Sequence, residues 1–149
     1  MSEYSKKDSL GRQIYFTARE IGNVAEKILK PHDLTLEQFQ LLKNMSADKG
    51  KTQSKLGGLT GKSPANITRL LDRLEAKQLM IRRSDPTDRR VSLVFLTARG
   101  DALIREMVGL FETFSERLIR NIDPRDQEIT RQTLEKITAN VREMEGKAG

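Results

Sequence analysis

The fold of this chain is decided by residues 63–100, which read SPANITRLLDRLEAKQLMIRRSDPTDRRVSLVFLTARG. Ser63-Pro64 is a helix start, because a hydroxyl side chain can cap the first turn and proline fits the first helical position. The apolar residues that follow recur at i, i+3, i+4 and i+7, namely Ile67, Leu70, Leu71 and Leu74. This spacing predicts a helix with one buried face and one polar, basic face.

The hydrophobic period changes after this helix, and two strands are predicted. Residues 79–83 and 91–96 carry large apolar side chains in short runs, and residues 84–89 between them form a turn-rich loop. Before the quoted stretch, a short helix is predicted from Thr52 to about Leu59, with a turn at Gly61-Lys62. Two short helices joined by a tight turn and followed by a hairpin indicate a winged helix-turn-helix.

Longer helices are predicted on both sides of this unit. One runs from about Lys7 to Lys30, and a capping-box pattern at residues 35–38 opens the next. Another runs from Thr97 to about Asn121, and the last begins at Asp123-Pro124. The apolar residues expected on the buried faces of these last two helices are Leu103, Met107, Leu110, Phe111, Phe114 and Leu118, then Leu134, Ile137, Val141 and Met144.

The predicted fold class is therefore mostly α (α+β), a single chain over residues 1–149. Residues 34–100 are expected to form the winged helix-turn-helix lobe with a two-stranded wing. Residues 1–33 and 101–149 are expected to form flanking dimerisation helices, because helices with such apolar seams bury them best against a symmetry mate. An intramolecular helical bundle is the alternative.

The positive charge is concentrated in the middle of the chain. The net charge is +6, and residues 51–100 hold eleven Lys and Arg against four Asp and Glu. Both flanking thirds are close to neutral. A basic module between neutral flanks favours a polyanion as partner, although a solvated face would have the same composition.

Several classes of protein are disfavoured by composition. The chain has no cysteine and a single histidine, so neither a disulfide nor a metal site of cysteines or several histidines is expected, and no cofactor is predicted. No apolar run approaches the roughly 18 residues that cross a bilayer, and residues 1–8 do not resemble a secretory signal. We therefore expect a cytoplasmic protein without a membrane partner.

The chain resembles the MarR family of bacterial transcription regulators. The resemblance rests on the series Leu70-Leu71-Asp72-Arg73-Leu74-Glu75, Leu79, Arg82, Asp88-Arg89-Arg90, Leu96-Thr97 and Gly100, in which Asp88 and Arg90 of the wing are the strongest element. It implies a homodimer held by the first, fifth and sixth helices, in the cytoplasm of a bacterium or archaeon and associated with the nucleoid. It also implies recognition helices in successive major grooves of a pseudo-palindromic operator, wings in the minor grooves, and repression that a ligand relieves.

Eleven residues are candidates for DNA contact. The start of the short helix offers backbone and side-chain groups to phosphate, and the following helix offers side chains to bases and phosphates. Arg90 suits a narrow minor groove, and Asp88 could hold its guanidinium in place. The set is Thr52, Gln53, Ser54, Ser63, Asn66, Thr68, Arg69, Arg73, Asp88, Arg89 and Arg90. Ordinary solvation is the alternative for each polar residue taken singly.

Two features depart from the family pattern. Gln78 stands where the family usually has glycine, and a left-handed backbone there would cost glutamine about 1 kcal/mol relative to glycine. Gly57-Gly58 lies inside the short helix, where it either allows close packing or softens the helix.

A small aromatic or lipophilic effector is expected, since the chain has no thiol to oxidise. The candidates for its site are Tyr15, Phe16, His32, Phe39 and Phe111, and core packing is the alternative for most of them. Catalysis is disfavoured because no cluster of reactive groups is apparent, and RNA binding because aromatic residues are few. A helical interaction module that does not bind DNA is the remaining alternative.

Overall fold

A computed structural model describes residues 9–146 of the chain. It contains six α-helices and three strands, with one turn of 3-10 helix at Lys30–His32. The elements in chain order are α1 (Ser9–Leu29), α2 (Leu36–Leu42), β1 (Lys51–Thr52), α3 (Gln53–Thr60), α4 (Pro64–Ala76), β2 (Met80–Ser84), β3 (Ser92–Leu96), α5 (Ala98–Leu118) and α6 (Pro124–Met144). This confirms the predicted fold class and helix order. The predicted helix start at Lys7 lies outside the described residues.

The described part of the chain divides into two compact units, one that ends at residue 111 and one that begins at residue 112. The first unit holds the hydrophobic core. Helices α2, α3 and α4 enclose it together with the inner side of β2 and β3, and Met107 of α5 is fully buried. The predicted apolar face of α4 is confirmed, because its four leucine and isoleucine residues are at most 2% exposed. Burial of each such side chain contributes about 1.5–3 kcal/mol to stability.

The helix starts follow from local capping. The capping box of α2 is complete, since Thr35 Oγ1 accepts from Gln38 N at 3.1 Å and Gln38 Oε1 accepts from Thr35 N at 3.2 Å. Thr52 Oγ1 caps α3 by accepting from Lys55 N, and Ser63 Oγ caps α4 by accepting from the amide three residues later. Helix α3 therefore begins one residue later than predicted, because Thr52 is the cap itself.

The sheet has one strand more than the sequence predicted. Strands β2 and β3 form the antiparallel hairpin of the wing, with Met80 opposite Leu96. The two-residue strand β1 pairs with the outer side of β3, which gives the order β1-β3-β2. Two residues are too few to carry an alternating pattern, so no sequence signal marked β1.

A tight junction joins α4, β2 and α5. Gln78 has a φ of 61°, the left-handed backbone that the family pattern reserves for glycine. Thr97 locks this turn, because its hydroxyl donates to Gln78 O at 2.7 Å and its amide donates to Leu79 O at 3.1 Å. Gly100 packs directly against the backbone of Leu79, and a Cβ on Gly100 would lie 2.0 Å from Leu79 O. The Leu-Thr-x-x-Gly motif is therefore a packing motif.

The apolar faces predicted for the outer helices are covered only in part. On α5, Met107 is buried, but Leu110 and Leu118 are 41% and 46% exposed, which corrects the prediction of one continuous buried face. The physical reason is that helical spacing marks which side of α5 is apolar and does not determine what packs against it. Helix α6, in the second unit, has no buried residue, and its predicted seam is exposed at Leu134, Val141 and Met144. None of the described helices is long and apolar enough to cross a membrane.

Candidate nucleic-acid interface

Helices α3 and α4 meet in a turn that presents one polar face of α4 to solvent. Gly61 makes this turn with a φ of 68°, a conformation that glycine adopts without strain. Because the apolar stripe of α4 is buried, Thr68, Arg69 and Arg73 are exposed on the opposite side. These three side chains follow one another along a single helix face, the arrangement that suits a groove of duplex DNA.

A hydrogen bond joins the start of α3 to this face. Gln53 Nε2 donates to Thr68 Oγ1 at 2.5 Å, and the Thr68 hydroxyl donates to Pro64 O at 3.0 Å. Ser54 is exposed beside Gln53. The structure therefore brings together Gln53, Ser54 and Thr68, three of the residues expected to contact DNA. The hydroxyl oxygens of Thr52 and Ser63 instead cap helices α3 and α4.

The guanidinium of Arg69 is held by its own helix. Its Nη2 donates to Asn66 Oδ1 at 2.5 Å. Arg73, one turn further on, has an exposed side chain without an ion pair to any described carboxylate. The two arginines therefore differ, since Arg69 is oriented in advance and Arg73 is available to move to a partner.

The wing loop orients Arg90 through Asp88. Arg90 Nε donates to Asp88 Oδ1 at 3.1 Å and Arg90 Nη2 donates to Asp88 Oδ2 at 3.2 Å, so the pairing that the sequence suggested is present as a two-pronged contact. These hydrogen bonds hold the pKa of Asp88 below its usual value. The Arg90 side chain is nevertheless 90% exposed. A guanidinium that is fixed at its base and open to solvent is ready to enter a groove.

Arg82 of β2 fastens the wing to α4. Its Nη2 donates to Asp72 Oδ1 at 2.8 Å and its Nη1 donates to Glu75 Oε1 at 2.9 Å, and its side chain is 25% exposed. Sequence reasoning used Arg82 for the resemblance and gave it no role. The available signal was the pair of carboxylates at i and i+3 on α4, which a guanidinium can bridge.

The five residues considered for an effector site fall into separate contacts. Tyr15 and Phe16 are 64% and 43% exposed and touch edge to face, with ring centroids 5.6 Å apart. Phe39 is buried and stacks on Phe111 at 4.7 Å. His32 lines a cavity of about 260 Å³. Among the described residues no group of three or more His, Asp or Glu side chains could hold a metal ion.

The fold and this exposed basic surface define a winged helix-turn-helix protein of the nucleic-acid-binding class. Comparison with known proteins identifies the family. Residues 34–92 match the MarR family. The HTH-type transcriptional regulator YhbI of Bacillus subtilis is 30% identical over 115 residues, which cover 74% of this chain and 75% of that protein.

Solved structures agree with that match. A mutant MarR from E. coli complexed with operator DNA is 25% identical with a TM-score of 0.81, over 92% of this chain and 99% of that one. The MepR–DNA complex of S. aureus has the same fold, with a TM-score of 0.81 at 23% identity over 87% of this chain and 96% of that one. The chain belongs to the MarR family, whose members are DNA-binding transcriptional regulators and not enzymes.

Proposed function

We propose that this chain is a ligand-responsive repressor that binds a pseudo-palindromic operator as a homodimer. One observation carries the proposal. Arg69 on α4 and Arg90 on the wing are both exposed, and a neighbouring side chain orients the guanidinium of each. Fixing a guanidinium before binding reduces the entropy that the complex must lose. The similar MarR structure was solved with operator DNA, which supports the same partner here.

Helix α4 lies in the major groove in this proposal. Asn66, Thr68, Arg69 and Arg73 read base edges or contact phosphates along that groove. The amides at the start of α3, with Gln53 and Ser54, face a phosphate, because the positive end of a helix dipole attracts an anion. Arg90 enters the flanking minor groove, where A·T-rich sequence concentrates negative potential, and Arg89 beside it reaches the backbone.

Dimerisation explains the uncovered apolar surface. None of the 21 residues of helix α6 is fully buried, and Leu10 and Tyr15 of α1 are more than 60% exposed. Soluble monomers rarely leave large apolar patches open to water. A two-fold symmetric pair of recognition helices then reads half-sites about one helical turn, roughly 10 bp, apart.

Selection from a random duplex pool, followed by footprinting, tests this function without knowledge of the operator. We expect an inverted repeat and a protected region with two-fold symmetry. Light scattering at micromolar concentration should give about twice the chain mass of 17.0 kDa. A monomeric mass would overturn the dimer, and a selection that returns no enriched duplex would point to an interaction module that does not bind DNA.

The effector is a small aromatic or lipophilic molecule in this proposal. Regulation requires that it bind the DNA-competent and DNA-incompetent states with different affinities. Tyr15, with an exposed ring and a hydroxyl, is the first residue to test, and His32 offers a second position because it lines a cavity. A gel-shift titration with aromatic acids and cationic lipophilic compounds, repeated with Tyr15→Ala, measures the response. Release by low peroxide and by none of these compounds would overturn the effector proposal.

A further inference from the structure

Thr68, in the first half of α4, has a hydroxyl group that is already bonded inside the protein. Its O–H donates to Pro64 O at 3.0 Å, and its Oγ1 accepts from Gln53 Nε2 at 2.5 Å. A hydroxyl group has a single hydrogen to donate, and the Pro64 carbonyl takes it. Thr68 therefore has no donor left for a base or a phosphate, although the residue is exposed on the polar face of α4.

The same two bonds fix the direction of the link between α3 and α4. A carbonyl oxygen only accepts, so the hydrogen of the Thr68 hydroxyl must lie on the bond to Pro64 O. The group of Gln53 that faces Thr68 Oγ1 must then be the amide nitrogen, because Oε1 would bring two acceptors together. Gln53 is therefore held as a donor to this hydroxyl.

Together the two bonds select one rotamer of Thr68. A threonine in a helix divides between two χ1 rotamers, because its oxygen can bond back to the preceding turn. The bond to Pro64 O turns the oxygen back in this way, and Gln53 holds it there from a second helix. Thr130 and Thr133 of α6 make the same backbone bond, and neither hydroxyl accepts from a side chain of the described residues. Thr68 is therefore held more firmly than its backbone bond alone requires.

The group that Thr68 can offer to a partner is its methyl group. Its oxygen is turned to its own helix and to Gln53, so the exposed part of the side chain includes the methyl carbon Cγ2. Thr68 is the fifth residue of α4, and side chains near the start of a recognition helix contact base edges. In the major groove of unmodified DNA, the one methyl group on a base edge is the C5-methyl group of thymine.

We propose that Thr68 selects thymine at one position of each half-site, through contact between its methyl group and the C5-methyl group of the base. Gln53 is the positioning residue that fixes the rotamer of Thr68. The inference rests on the proposed function as an operator-binding regulator and adds the feature of the base that one side chain reads. The contact is apolar, so it differs from the hydrogen bonds through which Arg69 would read a base.

The first test removes the methyl group from either side of the contact. A duplex selected by the wild-type protein is made with deoxyuridine in place of each thymidine in turn, which removes the C5-methyl group and keeps the base pair. At one position of a half-site, this replacement should weaken wild-type binding about fourfold, the worth of one buried methyl group. Thr68→Ser, which lacks the methyl group and keeps the hydroxyl, should bind the thymidine and deoxyuridine duplexes equally at that position.

Thr68→Val separates the methyl group from the hydroxyl. Valine keeps methyl groups on Cβ and has one preferred rotamer in a helix without a hydrogen bond, so this variant should keep the fourfold preference for thymidine. Thr130→Ser is the matched control, because Thr130 is exposed and makes the same bond to the carbonyl four residues earlier. It should keep the wild-type preference at every position.

The second test concerns the positioning role of Gln53. Gln53→Met keeps the length of the side chain and removes the amide, so it should reduce the preference for thymidine at the Thr68 position from about fourfold to less than twofold. The same substitution combined with Thr68→Val should leave the preference of the valine variant unchanged, because valine does not need the bond from Gln53. A general disturbance of α3 would lower the preference in both backgrounds and would overturn the positioning role.

Three other results would overturn the inference. The first is a selected operator in which deoxyuridine weakens wild-type binding at no position, and the second is a full preference for thymidine in Thr68→Ser. The third is loss of the preference in Thr68→Val, which would assign the reading of the base to the hydroxyl. An operator that is selected and fails these tests contradicts this inference alone, whereas the absence of any selected duplex contradicts the proposed function.

Discussion

Replacing Gly100 by alanine should damage the fold, although alanine is the better helix former. The added Cβ would lie 2.0 Å from Leu79 O, 3.0 Å from the Leu79 carbonyl carbon and 3.2 Å from Leu96 Cδ2. The nearest of these is backbone and cannot rotate away. Leu79 must therefore move by about 1 Å, and a shift of that kind in a packed core costs about 1–3 kcal/mol.

The same movement disturbs the junction that holds the wing. Leu79 O accepts from Thr97 N at 3.1 Å, and Leu79 N donates to Leu74 O at 3.0 Å. Loss of one such bond adds about 1 kcal/mol, while the helix propensity of alanine returns about 1 kcal/mol. The free energy of unfolding should therefore fall by about 2 kcal/mol, which lowers Tm by roughly 4–8 °C for a chain of this size.

Gly58→Ala is the matched control, because it makes the same substitution in a helix of the same unit. A Cβ at Gly58 would have no neighbour within 4 Å. We expect this variant to gain about 1 kcal/mol. Urea unfolding of both variants and the wild type measures the difference, at one protein concentration because the proposed dimer would unfold in a concentration-dependent way. A Gly100→Ala protein as stable as wild type would refute the steric reasoning.

Three further outcomes are expected. Arg90→Ala should weaken operator binding, most at A·T-rich flanks, and should reduce the slope of log affinity against log salt by about one unit. Arg69→Ala should instead reduce the discrimination between bases at one base pair by about 1–3 kcal/mol. Competition binding against single-base variants of the operator, repeated at several salt concentrations, checks both. Gln78→Gly should raise the free energy of unfolding by up to about 1 kcal/mol by relieving the left-handed backbone, whereas Ala76→Gly should lower it by about as much. Hydrogen bonds from Arg90 lower the pKa of Asp88, so the ion pair of the two side chains is intact above the ordinary carboxyl range and is lost as pH falls through the lowered pKa. NMR titration of the Arg90 guanidinium follows this loss, and a guanidinium signal that does not move with pH would contradict it.

The sequence predicted most of what local rules determine. The Ser63-Pro64 start, the capping box at Thr35 and the stripe of α4 each depend on residues within two turns of one another, and all three are present. The conformation of Gln78 shows where a residue-by-residue rule is insufficient. Its local preference opposes a positive φ, but Gln78 adopts one, and Thr97, nineteen residues later, stabilises the turn by donating its hydroxyl to Gln78 O at 2.7 Å.

The features that were missed depend on pairs distant in sequence. Strand β1 exists because Lys51 and Thr52 meet β3, some forty residues later, and nothing in two residues announces it. Two further contacts also join different elements: the salt bridges of Arg82 with Asp72 and Glu75, and the hydrogen bond from Lys77 Nζ to Gln38 Oε1. In the sequence, a charged residue that makes such a contact looks the same as a solvent-exposed one. Only the folded structure distinguishes the two.

The outer helices differ again, because helical spacing marks which side of a helix is apolar and does not determine what packs against it. A 21-residue amphipathic helix such as α6, in which no residue is fully buried, gains little hydrophobic stabilisation to offset the entropy of ordering its backbone. Isolated helices of this length are marginal in water even with favourable sequences. In the proposed homodimer, the exposed apolar repeat at Leu134 and Val141 would be part of the subunit interface. The repeat would then meet its own copy across the symmetry axis, so that a single sequence would encode both sides of the interface and the folding of these helices would depend on the concentration of the protein.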